Sequence, residues 1–460
     1  MHPIDPQAIN ELEEFLGQRL SSSETIRAEH ASDASYHPPH APQAVAFPQS
    51  VDELARIARV CTAHQIPMVP FGTGTAVEGG IVAVHGGLCI DLSQMDRILR
   101  TSTADMDVTV EAGVTRKQLN NYLEAQHTGL HFPVDPGADA SLGGMAATRA
   151  SGSAAVGYGT MRENVLGLKA VFADGAVIEV GGRARKSSAG YDLTRLLVGS
   201  EGTLAIIVEV TLRLSKVPAA ISAAVCPFAD IDSAVETAIE VLGQGIAVAR
   251  LEFLDEVQMQ ASNEYSDLDY PVAPTLFFEF HGSDTDVVEK AESVGRIVST
   301  RGGGPFRWAT AAGERDRLWQ ARYDAYHASR ALRPGSVGYV TDVCVPISAL
   351  APCIRQTRAV LQDLPFPAPL FGHVGDGNFH VVCLIEPGNA GELAQVQHLG
   401  ETIVELALEA GGTCSGEHGI GLGKIAALES ESGAGVQIMR HIKHALDPDN
   451  LMNPGKVLRV

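Results

Sequence analysis

Apolar positions recur along this chain in two rhythms, one helical and one alternating, and the change from one to the other predicts its elements. Over 7–20 the spacing is helical and amphipathic, followed by a polar stretch rich in Ser, His and Pro to about Gln49. A second helix is predicted from Ser50, because Ser50 and Glu53 can form a capping box ahead of Leu54, Ile57, Ala58 and Cys61. The run 66–70 reads as a short strand that leads directly into the glycine loop FGTGTAVEGG. Alternation predicts a strand over 108–112, and Thr115 with Gln118 opens another capped helix. Segments 166–172 and 176–180 flank Asp174 and Gly175, a hairpin signal, and 204–214 is a long strand. Hairpins mixed with inserted helices imply an α+β fold instead of regular strand–helix alternation.

After Lys216 the glycine loops thin out and helical and strand patterns follow one another at 233–242, 248–253, 275–281 and 285–300. The organisation expected is a first domain over 1–217, a second over 218–410, and a segment over 411–460 that carries site residues and returns to the first domain. A helix over 436–445 and the run NLMNPGK lie in that last segment.

Composition sharpens this picture. A chain of 460 residues is too long for one core, and its 47 glycines, without any repeat, suggest backbone passing close to a ligand. With 34 Lys+Arg against 55 Asp+Glu the formal charge is −21, which disfavours nucleic acid and anionic lipid as partners. No window approaches the roughly 18 apolar residues of a spanning helix, and the N-terminus lacks the basic start and apolar run of a secretory signal. Seven cysteines without a CxxC pair fit a reducing compartment, so the expected location is the cytoplasm, peripheral to a membrane only through an electron acceptor.

Three glycine clusters and two histidine motifs carry the candidate chemistry. In PFGTGTAVEGG, successive backbone N–H groups can form an anion site, but the spacing misses the dinucleotide fingerprint and a plain loop explains it equally well. The small-residue run PVDPGADASLGGMAATRASGSAAVGYG suits a backbone wrapped around an extended cofactor, with Ser141, Ser151 and Ser153 as hydroxyl donors. VGSEGTL alone reads as a turn or bulge. FGHVGDGNFH sets His373 and His380 seven positions apart, so a turn over 375–377 is needed to bring both rings to one side, and CSGEHGIG adds Glu417 and His418. Two imidazoles and a carboxylate suit Zn, Mn or Fe(II), although any single histidine is more often a hydrogen-bonded core residue. Arg322, in LWQAR, sits on a predicted helix where it could clamp a carboxylate or be salt-bridged.

Taken together, PFGTGTAVEGG, DPGADASLGGMAAT, YGTMRENVLGLKAVFADG, VGSEGTLAIIVEVTLRL, FGHVGDGNFH, GEHGIG and LMNPGK resemble the flavin-linked D-lactate dehydrogenases. These group with glycolate oxidase flavoprotein subunits and D-2-hydroxyglutarate dehydrogenases in the vanillyl-alcohol oxidase type of FAD fold. The resemblance implies a two-domain flavoprotein, with a p-cresol methylhydroxylase type FAD-binding domain and an antiparallel-sheet cap. It places noncovalent FAD on Pro70, Gly72, Thr73, Gly74, Thr75, Pro136, Gly137, Ser141, Gly143, Gly144, Ser151, Gly152, Glu201, Gly202, Ile207 and Asn453. The metal ligands it implies are His373, His380 and Glu417, holding Zn, Mn or Fe. His418 falls on the catalytic base and Arg322 on the carboxylate clamp, with Asn378 also among the catalytic residues. Where such relatives read ATGASGTNAVRYG, this chain has ATRASGSAAVGYG, so Arg149, Ser153, Ala154 and Gly157 depart from the pattern.

The reaction implied is oxidation of a small D-2-hydroxy acid, D-lactate first, by hydride transfer to flavin N5 with His418 taking the hydroxyl proton. Glycolate or D-2-hydroxyglutarate is the alternative substrate. The acceptor expected is a cytochrome, quinone or flavoprotein, and a homodimer is the assembly considered. Outside this class stand a flavin-free metallohydrolase and a noncatalytic flavin-binding subunit of an electron-transfer complex.

Overall fold

A computed structural model describes residues 4–184 and 186–460. Contacts group the chain into two units, one of Met1–Ser151, Gly159–Val217 and Glu417–Val460, the other of Gly152–Tyr158 and Pro218–Gly416. Glu417–Val460 thus groups with the first unit, and Gly152–Tyr158 with the second. Close packing explains the latter: a Cβ on Gly157 would come within 2.9 Å of the Ala249 Cα and the Val248 carbonyl.

In the first unit, helix Pro6–Leu16 buries Ala8, Leu12 and Leu16 against helix Val51–Ala63, whose buried face includes Leu54, Ile57, Ala58 and Cys61. Only half of the Ser50 capping box forms. Ser50 accepts from the Glu53 N–H, but the Glu53 carboxylate turns to the Arg19 guanidinium and the Gln49 N–H. A charged donor outcompetes a neutral one for that carboxylate. The box at Thr115 and Gln118 is complete. A four-stranded sheet runs Leu20–Ser21, Ala44–Ala46, Leu88–Asp91, Met68–Phe71, the last three parallel. A five-stranded antiparallel sheet runs Ile98–Ser102, Asp107–Glu111, Ile206–Arg213, Val165–Val171, Val177–Gly181. Its last two strands form the hairpin signalled by Asp174 and Gly175, with Gly175 at φ +78°.

The second unit is built on an eight-stranded sheet whose pairings are all antiparallel. Strict alternation divides its side chains. In Asn378–Ile385, Phe379, Val381, Cys383 and Ile385 enter one core, while Val382 and Leu384 join a smaller cluster with Phe277, Phe371 and Trp319. Arg250–Leu254 behaves alike, with Leu251 and Phe253 in the first core and Leu254 in the second. By the period of two, His380 and Asn378 share a face with Val382, and Glu252 shares one with Leu254. Trp319, on helix Ala312–Tyr323, packs within that smaller cluster. Among the described residues, no helix is long and apolar enough to cross a membrane.

Candidate active site

In the first unit the loop after strand Met68–Phe71 holds Gly72, Thr73, Gly74 and Thr75 at the carboxyl end of a parallel strand, a position where open sheets bind ligands. Gly72 lies against the Ser141 hydroxyl, which caps helix Leu142–Thr148 through the Gly144 N–H. Among the described residues, no protein group accepts from the backbone N–H groups of Gly72, Thr73, Gly74, Thr75 and Ala76. A run of unspent donors at the end of a strand, beside the Ser141 hydroxyl, fits a diphosphate. Pro70 touches Gly202, where a Cβ would stand 2.4 Å from the proline ring. Gly137 is exposed at φ +85° beside Pro136.

Three expected cofactor residues are committed to protein. The buried Glu201 carboxylate accepts from the Ile420 and Gly421 N–H groups at 2.7 and 2.8 Å, anchoring the GEHGIG loop within this unit. Burial holds that carboxyl above its usual range despite those bonds and the charges of Lys456 and Lys424. Asn453 donates to the Gly80 and Glu201 carbonyls, and Ile207 is a core residue of the five-stranded sheet. Glu201 and Asn453 thus shape the region through protein contacts, and Ile207 packs in the sheet. In the same unit Glu417 and His418 approach to 4.0 Å, and Ser151 is half-buried.

Arg149 departs from the family pattern at a left-handed position, φ +56°, closing helix Leu142–Thr148. Its guanidinium donates twice to the Val198 carbonyl, at 3.0 and 3.3 Å, which fastens the helix end to the VGSEG loop. In the second unit Gly152 takes φ +119°.

The second unit holds the histidine pair. Strands Leu370–Gly372 and Asn378–Ile385 form a hairpin whose turn carries Gly377 at φ +81°, and the His373 and His380 rings stand 5.5 Å apart, nearly perpendicular. His373 Nδ1 lies 2.7 Å from Glu252 Oε1, and His380 Nδ1 lies 3.2 Å from the Thr341 carbonyl and 3.6 Å from Asp342. A carbonyl and an ionised carboxylate can only accept, so each Nδ1 carries a proton, which in the neutral ring leaves Nε2 as the lone-pair nitrogen. That is the tautomer a metal-binding imidazole needs.

Glu252 and Asp342 were missed by sequence reasoning. Glu252 is completely buried, with its other oxygen 2.7 Å from Arg322 Nε. Burial would raise its carboxyl, but His373 and Arg322 outweigh burial and hold it below the usual range. The Arg322 guanidinium also lies over Phe371, 5.3 Å from the ring centre. Among the described residues, no protein group accepts from its two terminal nitrogens. Asn378, expected among the catalytic residues, spends both amide hydrogens on Asp342 and the Val343 carbonyl, each at 2.7 Å, because it faces inward beside a buried carboxylate. Asp342 also accepts from Ser415, and a Cβ on Gly416 would come 2.1 Å from the Asn378 amide nitrogen.

The family model for an FAD binding domain matches residues 42–181, and that for the C-terminal domain of FAD linked oxidases matches 217–457. The chain belongs to the FAD-linked oxidase family. This FAD-linked oxidase is 49% identical to "Probable D-lactate dehydrogenase, mitochondrial" of Danio rerio over 96% of this chain and 89% of that one. It is 42% identical to "D-lactate dehydrogenase [cytochrome], mitochondrial" of Arabidopsis thaliana, over 99% and 80%. Its fold is that of p-cresol methylhydroxylase, solved with substrate bound, at a TM-score of 0.81 and 18% identity over 98% of this chain and 96% of that one. The α+β, two-domain flavoprotein architecture expected from the sequence is therefore the one the chain has.

Proposed function

We propose that this FAD-linked oxidase is a dehydrogenase of a small D-2-hydroxy acid, with D-lactate as substrate and pyruvate as product. The observation that carries this reading is the buried carboxylate of Glu252, with a histidine of the His373–His380 pair on one oxygen and Arg322 on the other. A cation ligand and a carboxylate clamp side by side match a molecule whose hydroxyl and carboxylate sit on adjacent carbons. The names of the Danio rerio and Arabidopsis thaliana relatives support D-lactate.

In this reading the loop Gly72–Thr75, with Pro70, Pro136, Gly137, Ser141, Gly143, Gly144, Ser151, Gly152 and Gly202, holds noncovalent FAD. His373 and His380 through Nε2, with Glu417, hold a divalent cation, Zn or Mn. When bound, these groups supply a two-electron acceptor for the hydrogen on Cα and a Lewis acid for the substrate hydroxyl. Arg322 binds the substrate carboxylate through its terminal nitrogens, which fixes the orientation of Cα. His418 receives the hydroxyl proton. Asp342 and Asn378 keep His380 in place from behind. Seven free cysteines, six of them buried, support a reducing compartment. The net charge of −21, with the word cytochrome in the name of the Arabidopsis thaliana relative, supports a basic cytochrome as acceptor.

The test is an anaerobic absorption titration of the purified flavoprotein with a panel of D- and L-2-hydroxy acids, before and after chelation. D-lactate should bleach the flavin band and L-lactate should not. Chelation should abolish bleaching and added Mn²⁺ or Zn²⁺ should restore it. Bleaching by none of the panel rejects the reading.

A further inference from the structure

We infer that Glu252 is a shared positioning residue, one carboxylate that sets both the cation ligand His373 and the carboxylate clamp Arg322. This inference rests on the function proposed above and concerns what couples the two halves of substrate binding.

An ionised carboxylate in the middle of a strand, with no solvent exposure, carries a desolvation penalty that only good pairing of each oxygen offsets. Glu252 is paired on both sides, at 2.7 Å to His373 Nδ1 and 2.7 Å to Arg322 Nε. Neighbouring Leu251 and Phe253 enter the core on the opposite face, so an apolar residue would fit the strand pattern at 252 on grounds of packing alone. What an apolar residue would not do is orient two side chains that come from different elements, the hairpin turn and helix Ala312–Tyr323.

The choice of atoms is informative. By accepting from Nδ1, Glu252 fixes the His373 proton there and makes Nε2 the more basic nitrogen. By accepting from Nε and not from the guanidinium fork, it anchors Arg322 while leaving both terminal nitrogens to face a carboxylate together. The Phe371 ring supports the guanidinium plane. His380 is held differently, by the Thr341 carbonyl at 3.2 Å with Asp342 at 3.6 Å, so the Glu252 arrangement is specific to the histidine that shares its anion with the arginine. Loss of Glu252 should therefore weaken cation binding and substrate binding at once, whereas loss of Arg322 should act on substrate alone.

The experiment uses the chelated flavoprotein with FAD retained, titrated calorimetrically with Mn²⁺, alongside steady-state kinetics on D-lactate after Mn²⁺ is restored. Glu252→Gln keeps the shape but cannot accept from both partners, and should weaken Mn²⁺ by about 10–100-fold and raise KM, with flavin absorbance and Tm as checks of folding. Arg322→Met should raise KM and leave Mn²⁺ affinity within a few-fold. His373→Ala should abolish Mn²⁺ uptake. If the unaltered protein takes up no Mn²⁺, the cation site falls and this inference with it. If it does, His373→Ala abolishes uptake, and Glu252→Gln binds as the unaltered protein does, the inference alone is overturned. Should Glu252→Gln fail to fold, ¹⁵N-histidine NMR of the unaltered, metal-free protein decides: a proton on His373 Nδ1 supports the assignment, and one on Nε2 overturns it.

Discussion

His418 stands next to Glu417 in a loop whose backbone is anchored by Glu201 through the Ile420 and Gly421 N–H groups, and those two bonds do not involve the ring. His418→Ala should keep its flavin absorbance and lose substrate-driven flavin reduction by roughly 10²–10⁴-fold, the range for a general base. Stopped-flow reduction at the normal rate would remove His418 from the mechanism. Asp255 tests a different physics. Burial raises its carboxyl to about 7, while it caps helix Glu256–Ser266 by accepting from the Gln258 N–H. Its folded pKa lies above the unfolded one, so the favourable contribution is full below the unfolded value and is lost as pH rises through about 7. Asn caps equally well and cannot ionise. Asp255→Asn should gain on the unaltered protein as pH rises from about 4 to about 7, by at most about 1.4 kcal/mol per pH unit, and the gain should level off above that. Urea midpoints at several pH values measure this, and a difference that does not change with pH contradicts it.

Elements decide how these residues meet. The hairpin that carries His373 and His380 turns at Gly377, where φ is +81° and a Cβ would stand 2.1 Å from the Val345 carbonyl oxygen. Gly377→Ala should cost at least about 1–2 kcal/mol from the left-handed backbone alone, and more from the collision with a main-chain atom. A denaturation curve showing no loss would mean the turn relaxes freely. The C-terminal helix Gly435–Leu446 is fastened by one buried lysine. Lys443 donates to the Thr203 and Met452 carbonyls, each at 2.8 Å, and to Asp447. Lys443→Met leaves the Asp447 carboxylate buried beside only the Leu451 and Met452 N–H groups. The expected loss is about 3–5 kcal/mol, read as a lower Tm, with partial recovery in Lys443→Met/Asp447→Asn.

At the scale of the whole molecule the charge of −21 governs encounters with partners. Reduction of a basic cytochrome should slow steeply as salt is raised, because long-range steering is screened within about 8–10 Å at 0.1–0.15 M. Reduction of a small uncharged dye should be nearly indifferent to salt, and equal salt dependence for both would remove charge from the acceptor problem. Much of the architecture was legible in the pattern of residues, and for local reasons. Alternation in Asn378–Ile385, the Asp174 and Gly175 turn, and the Thr115 and Gln118 cap depend on neighbours within a few positions. The glycine loops were visible because left-handed or crowded backbone admits little but glycine, as at Gly74 and Gly202. The histidine pair was visible because the glycines between its members allow the necessary turn.

Glu252 was not visible. In RLEFL it occupies the polar phase of an alternating strand and reads as a solvated residue. Only the distant arrival of Arg322 and His373 makes that phase a buried ion-pair site. Asp342, the Lys443 bond to Thr203 and the loop-holding role of Glu201 were hidden for the same reason, since in each case a partner lies far away in the chain. Residue order by itself determined the local conformations and the family, because caps, turns and alternation act over short range. Tertiary structure decided which charges are buried together, because the low dielectric that makes such pairs matter exists only after the chain has closed around them.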